Sequence, residues 1–230
     1  MIDLHSHVLP MVDDGSESLN HSLDMVKTAI SQGVKELVLT PHYRGVFNLS
    51  KKELEEKFND FKAQVQKENL PINLSLGQEI YVDNDTKKDL IDNKFLTINQ
   101  TKYVLLEFNY TQDNDIAEYV YEFSRLGYKP IIAHVERYTY LTIYDIAEIK
   151  SMGALIQINA ESLVGKGNFA NKRLVKKLIK NDLVDIVSND MHWGREYLMA
   201  KAYKCVCKKF SKDIADNLFI VNPQKVLNDE

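Results

Sequence analysis

At 230 residues and 44% hydrophobic, the chain can bury a full core as one domain, and its formal net charge of -4, from 29 basic and 33 acidic side chains, excludes a general attraction for nucleic acid or an anionic membrane. Any phosphate-bearing ligand must therefore be bound locally. Met1-Ile2-Asp3-Leu4-His5 is no leader peptide, no run approaches the ~18 apolar residues of a membrane span, and Cys205 and Cys207 sit too close for an ordinary disulfide, so a cytoplasmic protein without membrane insertion is expected.

Short apolar runs alternate with longer amphipathic ones, the pattern of βα units around a parallel sheet. A strand over 2–4 leads to a helix over 18–32, which Gly33 caps. A strand over 36–40 precedes a helix over 50–68, opened by a capping box of Ser50 and Glu53. After a strand over 72–78, the stretch 83–99 interrupts the rhythm and is read as an excursion containing a short helix. The strand over 103–108 and helix over 113–126 end at Gly127; the strand over 130–133 and helix over 143–151 end before Gly153. A strand over 154–159, a helix over 171–181, a strand over 185–188 and a helix over 196–210 complete the series. That gives seven strands and no linker, hence a single α/β domain over 1–230.

Barrels of parallel strands build their sites at the C-terminal strand ends. Here those ends carry His5, His7, Asp13 and Asp14, then His42, Glu79, Glu107, then His134, Glu136 and Arg137, and finally Asp190 and His192. Five of the six histidines are in this set. Residues two apart in a strand face the same side, so His5 with His7, and Asp190 with His192, can each turn to one site. Imidazole with carboxylate and no thiolate suits Mn²⁺, Zn²⁺ or Fe²⁺, and nine ligands exceed the needs of one ion. Two or three metals are implied. Strand six, ending in Asn159, is the one end without a ligand.

The N-terminal H-x-H and C-terminal D-x-H, with the residues between them, resemble the PHP (polymerase and histidinol phosphatase) family over nearly the whole chain. Within it, Met1-Ile2-Asp3-Leu4-His5-Ser6-His7, Asp13-Asp14-Gly15, Gly77-Gln78-Glu79-Ile80, Leu106-Glu107-Phe108 and His134-Val135-Glu136-Arg137-Tyr138 are similar to the tyrosine phosphatases of Gram-positive capsule and exopolysaccharide loci, the CpsB/CapC type. The resemblance implies a distorted (β/α)₇ TIM-like barrel of the PHP fold. It implies three divalent ions, usually Mn²⁺ with Fe or Zn as alternatives, and the phosphotyrosine tail of a bacterial tyrosine kinase as substrate and partner. Carried over by motif, the metal ligands are His5, His7, Asp14, His42, Glu79, Glu107, His134, Asp190 and His192, with Glu79 bridging two ions. Arg137 and Arg195 are expected to clamp the phosphoryl group, and His42 or Asp14 to assist the leaving oxygen. Asp13 and Glu136 are expected to orient ligands. Two departures stand out: Val135 replaces the proline of H-P-E-R, and Trp193-Gly194-Arg195 replaces an asparagine and a longer loop after D-x-H.

A cysteine phosphatase needs C-x₅-R, and neither cysteine has an arginine six residues on, so that class is excluded. A small-molecule phosphatase of the histidinol phosphate kind, a nuclease-like PHP enzyme and a non-catalytic metal-stabilised module stay open. Tyr43, Phe47, Tyr81, Phe108, Tyr110, Tyr138 and Trp193 follow the motifs closely and can either line a phosphotyrosine cleft or pack. Arg44 is expected to be a loop surface charge.

Overall fold

The computed structural model describes the chain apart from residues 46, 48, 167 and 168 and the side chains of 169–171. Its strands are β1 (Ile2–Asp3), β2 (Glu36–Leu39), β3 (His42–Tyr43), β4 (Asn73–Leu76), β5 (Glu79–Tyr81), β6 (Tyr103–Glu107), β7 (Lys129–Ile132), β8 (Leu155–Asn159) and β9 (Ile186–Ser188). Every pairing is parallel. The strands form two sheets, ordered β1-β2-β4 and β3-β5-β6-β7-β8-β9.

The expected second and third strands are each split in two. β2 stops at Leu39, the chain turns at Thr40-Pro41, and His42 opens β3 in the other sheet; β4 stops at Leu76, and Glu79 opens β5. Proline cannot donate to a ladder, which interrupts the first of these runs. At the second, a side chain on Gly77 would come within 2.7 Å of Ile98 Cδ1, so the close approach of the 83–99 excursion demands glycine. His42 and Glu79 therefore begin strands rather than follow them.

The helices are α1 (Leu19–Ser31), α2 (Lys51–Lys67), α3 (Thr86–Ile91), α4 (Ile116–Arg125), α5 (Ile143–Ser151), α6 (Ala160–Val164), α7 (Phe169–Lys180), α8 (Met199–Lys209), α9 (Lys212–Asp216) and α10 (Asn222–Leu227). The Ser50–Glu53 capping box forms, and Thr142 with Asp145 makes a second one at α5. α3 is the helix expected within the excursion. α6, α9, α10 and the π-helical turn Asn217–Val221 carry no expectation from the sequence.

A continuous core of strand and helix side chains, including Leu37, Phe61, Ile80, Leu106, Phe123 and Ile158, packs the helices onto the sheets. Strand faces buried on both sides read as the near-continuous apolar runs seen in the sequence. One isolated parallel bridge, Ser6 to Met191, joins the segments that follow β1 and β9, with the His7 N–H donating to Met191 O at 2.9 Å. This bridge brings H-x-H and D-x-H together from opposite ends of the chain. None of the helices is long and apolar enough to cross a membrane among the described residues.

Candidate metal centre

All nine ligands expected from the sequence converge. Four overlapping groups, His7-Asp14-His42-His192, His5-His7-Asp190, His5-Glu79-His134 and His42-Glu79-Glu107, each hold their ligand atoms within 4.8 Å of one another. Glu79 belongs to two groups, as a bridging carboxylate must. Its Oε1 lies 2.9 Å from His134 Nε2 and 3.2 Å from His5 Nε2, while Oε2 lies 3.0 Å from His42 Nδ1 and 3.2 Å from His7 Nε2.

Backbone geometry aims these side chains. The buried carboxylate of Asp3, the last residue of β1, accepts from the backbone N–H groups of His5 and Asn189 and from the hydroxyl of Tyr197, tying both ends of the site to one anchor. Burial pushes the Asp3 carboxyl up to about 6, against the lowering effect of those donors. His134 and Asp190 both sit in the left-handed region, at φ 31° and 53°. That conformation is uncommon for any residue with a side chain, and such backbone strain concentrates at functional sites.

Gly15 closes the loop bearing Asp13 and Asp14 directly over His7. A Cβ there would collide with the carbonyl oxygen and the Cβ of His7. Gly15→Ala is therefore expected to displace the loop, costing about 1–3 kcal/mol as an overpacking change. Metal retention should fall with it, because Asp13 Oδ2 accepts from His7 Nδ1 at 2.7 Å. Thermal melting and metal content after dialysis check this; a variant with unchanged values in both contradicts the role given to Gly15.

Whether these residues suit a cation is answered by their polar atoms. His5 Nε2 and His7 Nε2 face each other at 3.2 Å, and with Asp13 accepting from His7 Nδ1, both Nε2 atoms point at the carboxylates of Glu79 and Asp190. His134 Nδ1 and Glu107 Oε2 are buried without a hydrogen-bond partner among the described residues, and His42 Nδ1 has only the 3.0 Å approach of Glu79 Oε2. Buried polar atoms without partners are costly, and cations would satisfy those directed into the cluster. Burial opposes charge on Glu79, yet the imidazoles of His5, His134 and His42 hold its pKa well below the usual carboxylate range. For His192, burial and neighbouring His7 push the pKa down to about 4, which leaves a neutral imidazole, the ligating form. The donor set therefore fits divalent cations.

The two arginines differ. Arg137, 22% exposed, places Nη1 2.8 Å from Asp190 Oδ2 and Nη2 3.2 Å from Glu161 Oε1. Arg195, 52% exposed, reaches only 3.7 Å from the same Asp190 oxygen. Glu136 takes no place in the four ligand groups; its Oε1 accepts from the Asn159 N–H and the Ser162 hydroxyl. Phe108 and Tyr138 are buried packing residues, and the Tyr138 hydroxyl accepts the Phe108 N–H. Tyr110 and Trp193 remain exposed at the site; Tyr110 donates to Glu107 Oε1 at 2.5 Å, and Trp193 stacks on His21 at 3.8 Å. Arg44 is not a free surface charge: it lies 3.8 Å from Asp14 Oδ2 and over the rings of Phe47 and Tyr81.

The family of capsular polysaccharide synthesis proteins CpsB/CapC matches residues 1–228. The chain belongs to this family. The tyrosine-protein phosphatase CpsB of Streptococcus agalactiae serotype V is 34% identical over 238 residues, covering 99% of this chain and 98% of its own. The tyrosine-protein phosphatase YwqE of Bacillus subtilis is 32% identical over 199 residues, covering 84% and 77%. A crystal structure from work on YwqE of Bacillus subtilis and CpsB of Streptococcus pneumoniae, described as metal-dependent tyrosine phosphatases, superposes with a TM-score of 0.94 at 28% identity, covering 100% of this chain and 95% of that one. The parallel α/β architecture of this family member is thus shared with those enzymes.

Sequence reasoning missed Gln157 and Asn159. Both are buried at the end of β8, and both reach the ligands from behind, Gln157 through His5 and His134 and Asn159 through Asp190. Their signal was two polar residues at i and i+2 in an otherwise apolar strand.

Proposed function

We propose that this chain is a metal-dependent protein-tyrosine phosphatase acting on the phosphorylated tyrosine-rich tail of a bacterial tyrosine kinase that controls capsule or exopolysaccharide synthesis. The observation that carries this reading is the convergence of nine imidazole and carboxylate ligands beside Arg137 and Arg195. His5, His7, Asp14, His42, Glu79, Glu107, His134, Asp190 and His192 would hold three divalent ions, with Mn²⁺ as the first choice and Fe or Zn as alternatives. When bound, such ions supply Lewis acidity and a hydrolytic water of lowered pKa.

The chain's own residues do the rest. Arg137 and Arg195 bind the phosphoryl oxygens through paired N–H donors, and Asp190 and Glu161 hold the Arg137 guanidinium in place beforehand. Asp14, half exposed and 3.4 Å from the buried His42, is read with it as the pair that would pass a proton to the leaving oxygen. A phenol, with a pKa near ~10, needs that help less than an alcohol does. Tyr110 and Trp193, the exposed aromatics here, are the ones left to meet a substrate ring.

The fold is read as a distorted (β/α)₇ barrel forming one domain over 1–230, a reading supported by the Ser6–Met191 bridge between the first and last strand segments. A cytoplasmic location suits the free, half-buried Cys205 and Cys207, which stay reduced there. Basic charge is concentrated on α7 and α8. Lys172, Arg173, Lys176, Lys177 and Lys180 on α7 have no acidic residue between them, nor do Lys201, Lys204, Lys208 and Lys209 on α8, in a chain that is acidic as a whole.

The test is a comparison of kcat/KM for a phosphotyrosine peptide, histidinol phosphate and an oligonucleotide with the Mn²⁺-loaded protein. The peptide should be preferred by at least about 100-fold, a discrimination that pocket contacts alone can supply. Preference for histidinol phosphate would transfer the reading to small-molecule phosphomonoester hydrolysis.

A further inference from the structure

β8 ends without a metal ligand, yet its last two inward side chains form a continuous amide chain behind the cluster. The His134 N–H donates to Gln157 Oε1 at 2.9 Å, and the same oxygen lies 3.3 Å from His5 Nδ1. Gln157 Nε2 donates to Asn159 Oδ1 at 2.8 Å, and Asn159 Nδ2 donates to Asp190 Oδ2 at 3.2 Å. Gln157 is 1% exposed and Asn159 is wholly buried, so water cannot substitute for a missing partner. The Asn159 N–H is itself fixed by donation to Glu136 Oε1.

Direction in this chain follows from one atom. A backbone N–H can only donate, so the Gln157 atom facing His134 is the oxygen. Its nitrogen then faces Asn159 Oδ1, and the Asn159 nitrogen faces Asp190. Turning over either amide would bring two donors or two acceptors together in a buried site. His5 Nδ1 faces an acceptor and donates to it when it carries the ring proton. Its Nε2 lies 3.2 Å from both Glu79 Oε1 and His7 Nε2, so a cation at this point would take the Nε2 lone pair and leave the proton on Nδ1. At the far end Asp190 Oδ2 is committed to Asn159 and Arg137, while Oδ1 faces His5 Nε2 at 3.6 Å, His7 Nε2 at 3.5 Å and His192 Nδ1 at 3.4 Å.

We infer that Gln157 and Asn159 are positioning residues of the metal centre: the amide chain sets His5 in the Nδ1-protonated, Nε2-ligating form and divides the Asp190 oxygens, Oδ1 toward metal and Oδ2 toward Arg137. The inference rests on the reading of the cluster as a metal site and is independent of which phosphoester is hydrolysed. Histidine ligands generally depend on an acceptor at the other ring nitrogen, and here a neutral amide serves one ligand and, through Asn159, steers a second, the carboxylate that follows the neighbouring strand β9.

The test uses the Zn²⁺-loaded full chain, whose histidine nitrogens are observable by ¹⁵N NMR, together with Zn²⁺ and Mn²⁺ affinities measured by chelator competition. In wild type the His5 ring should show a protonated Nδ1 and a metal-bound Nε2. Gln157→Glu keeps the volume but sets a carboxylate oxygen against Asn159 Oδ1, and turning Asn159 to relieve this sets its oxygen against Asp190 Oδ2. Asn159→Asp places the same repulsion one link further on. Both variants should bind either metal about 10–100-fold more weakly, the usual cost of losing a ligand's supporting partner. Gln157→Leu, which removes the acceptor altogether, should also lose the hydrogen-bonded Nδ1 proton signal of His5. A wild-type His5 that ligates through Nδ1, or Gln157→Glu and Asn159→Asp variants with wild-type metal affinity, would overturn the inference. Phosphatase activity enters none of these readouts, so a wrong substrate assignment leaves the result interpretable.

Discussion

Glu79→Gln should lose at least about 10³-fold in kcat/KM on a phosphotyrosine peptide, together with most of its bound metal. The substitution keeps the shape and removes one negative charge from the point where four imidazoles meet: Glu79 oxygens lie within 3.2 Å of ring nitrogens of His5, His7, His42 and His134. A glutamine can offer one oxygen where the carboxylate offers two, so it cannot serve both groups to which Glu79 belongs. The amide nitrogen would in addition point at a ligand atom as a donor. Metal content and steady-state kinetics measured on the same preparation check this, with circular dichroism to confirm the fold. A Glu79→Gln variant retaining full metal and activity would remove Glu79 from the centre of the account.

Arg137→Ala should cost about 10³-fold in kcat/KM, near the lower end of what a phosphoryl-clamping arginine supplies, while the metal content at saturating Mn²⁺ stays close to wild type. The separation of the two readouts distinguishes it from Glu79→Gln. Burial acts against charge on Arg137, but the adjacent Asp190 carboxylate raises its pKa above the ordinary arginine value, so the guanidinium is charged at every accessible pH. Arg137→Lys should recover little, since a single ammonium cannot reproduce the fork that contacts Asp190 and Glu161 together. Arg195→Ala should be milder because its side chain is 52% exposed and sits 3.7 Å from Asp190. Equal losses at both arginines would contradict the ranking.

Much of this site was legible because its chemistry lies at strand ends and its ligands are of a few residue types. Parallel strands bury both faces, so polar residues at their ends are conspicuous against apolar runs. His5, His7, Glu107, Asp190 and His192 could be placed that way, but the period-two argument does not describe the pairs, since β1 ends at Asp3, β9 ends at Ser188 and Asp190 has a left-handed backbone. What could not be read was the breaking of two strands. The run from Glu36 to Tyr43 looks like one strand and a loop, whereas Pro41 divides it between two sheets; Gly77 does the same further on through a contact with Ile98, distant in sequence. Backbone strain was also invisible: no local signal marks His134 for a left-handed conformation. The short helices α9 and α10 and the π-turn between them pass without a clear period, since Pro223 and the short lengths leave no amphipathic repeat to detect. Gln157 and Asn159 were overlooked because neutral amides rarely ligate metals, and their role emerges only when hydrogen-bond direction can be followed.

The measurement that bears most directly on the central claim is phosphotyrosine-peptide hydrolysis followed as the chelator-stripped protein is reloaded with Mn²⁺, with bound metal quantified at each step. Activity should vanish on stripping and return as occupancy approaches three ions per chain. Undiminished hydrolysis by the metal-free protein would contradict it.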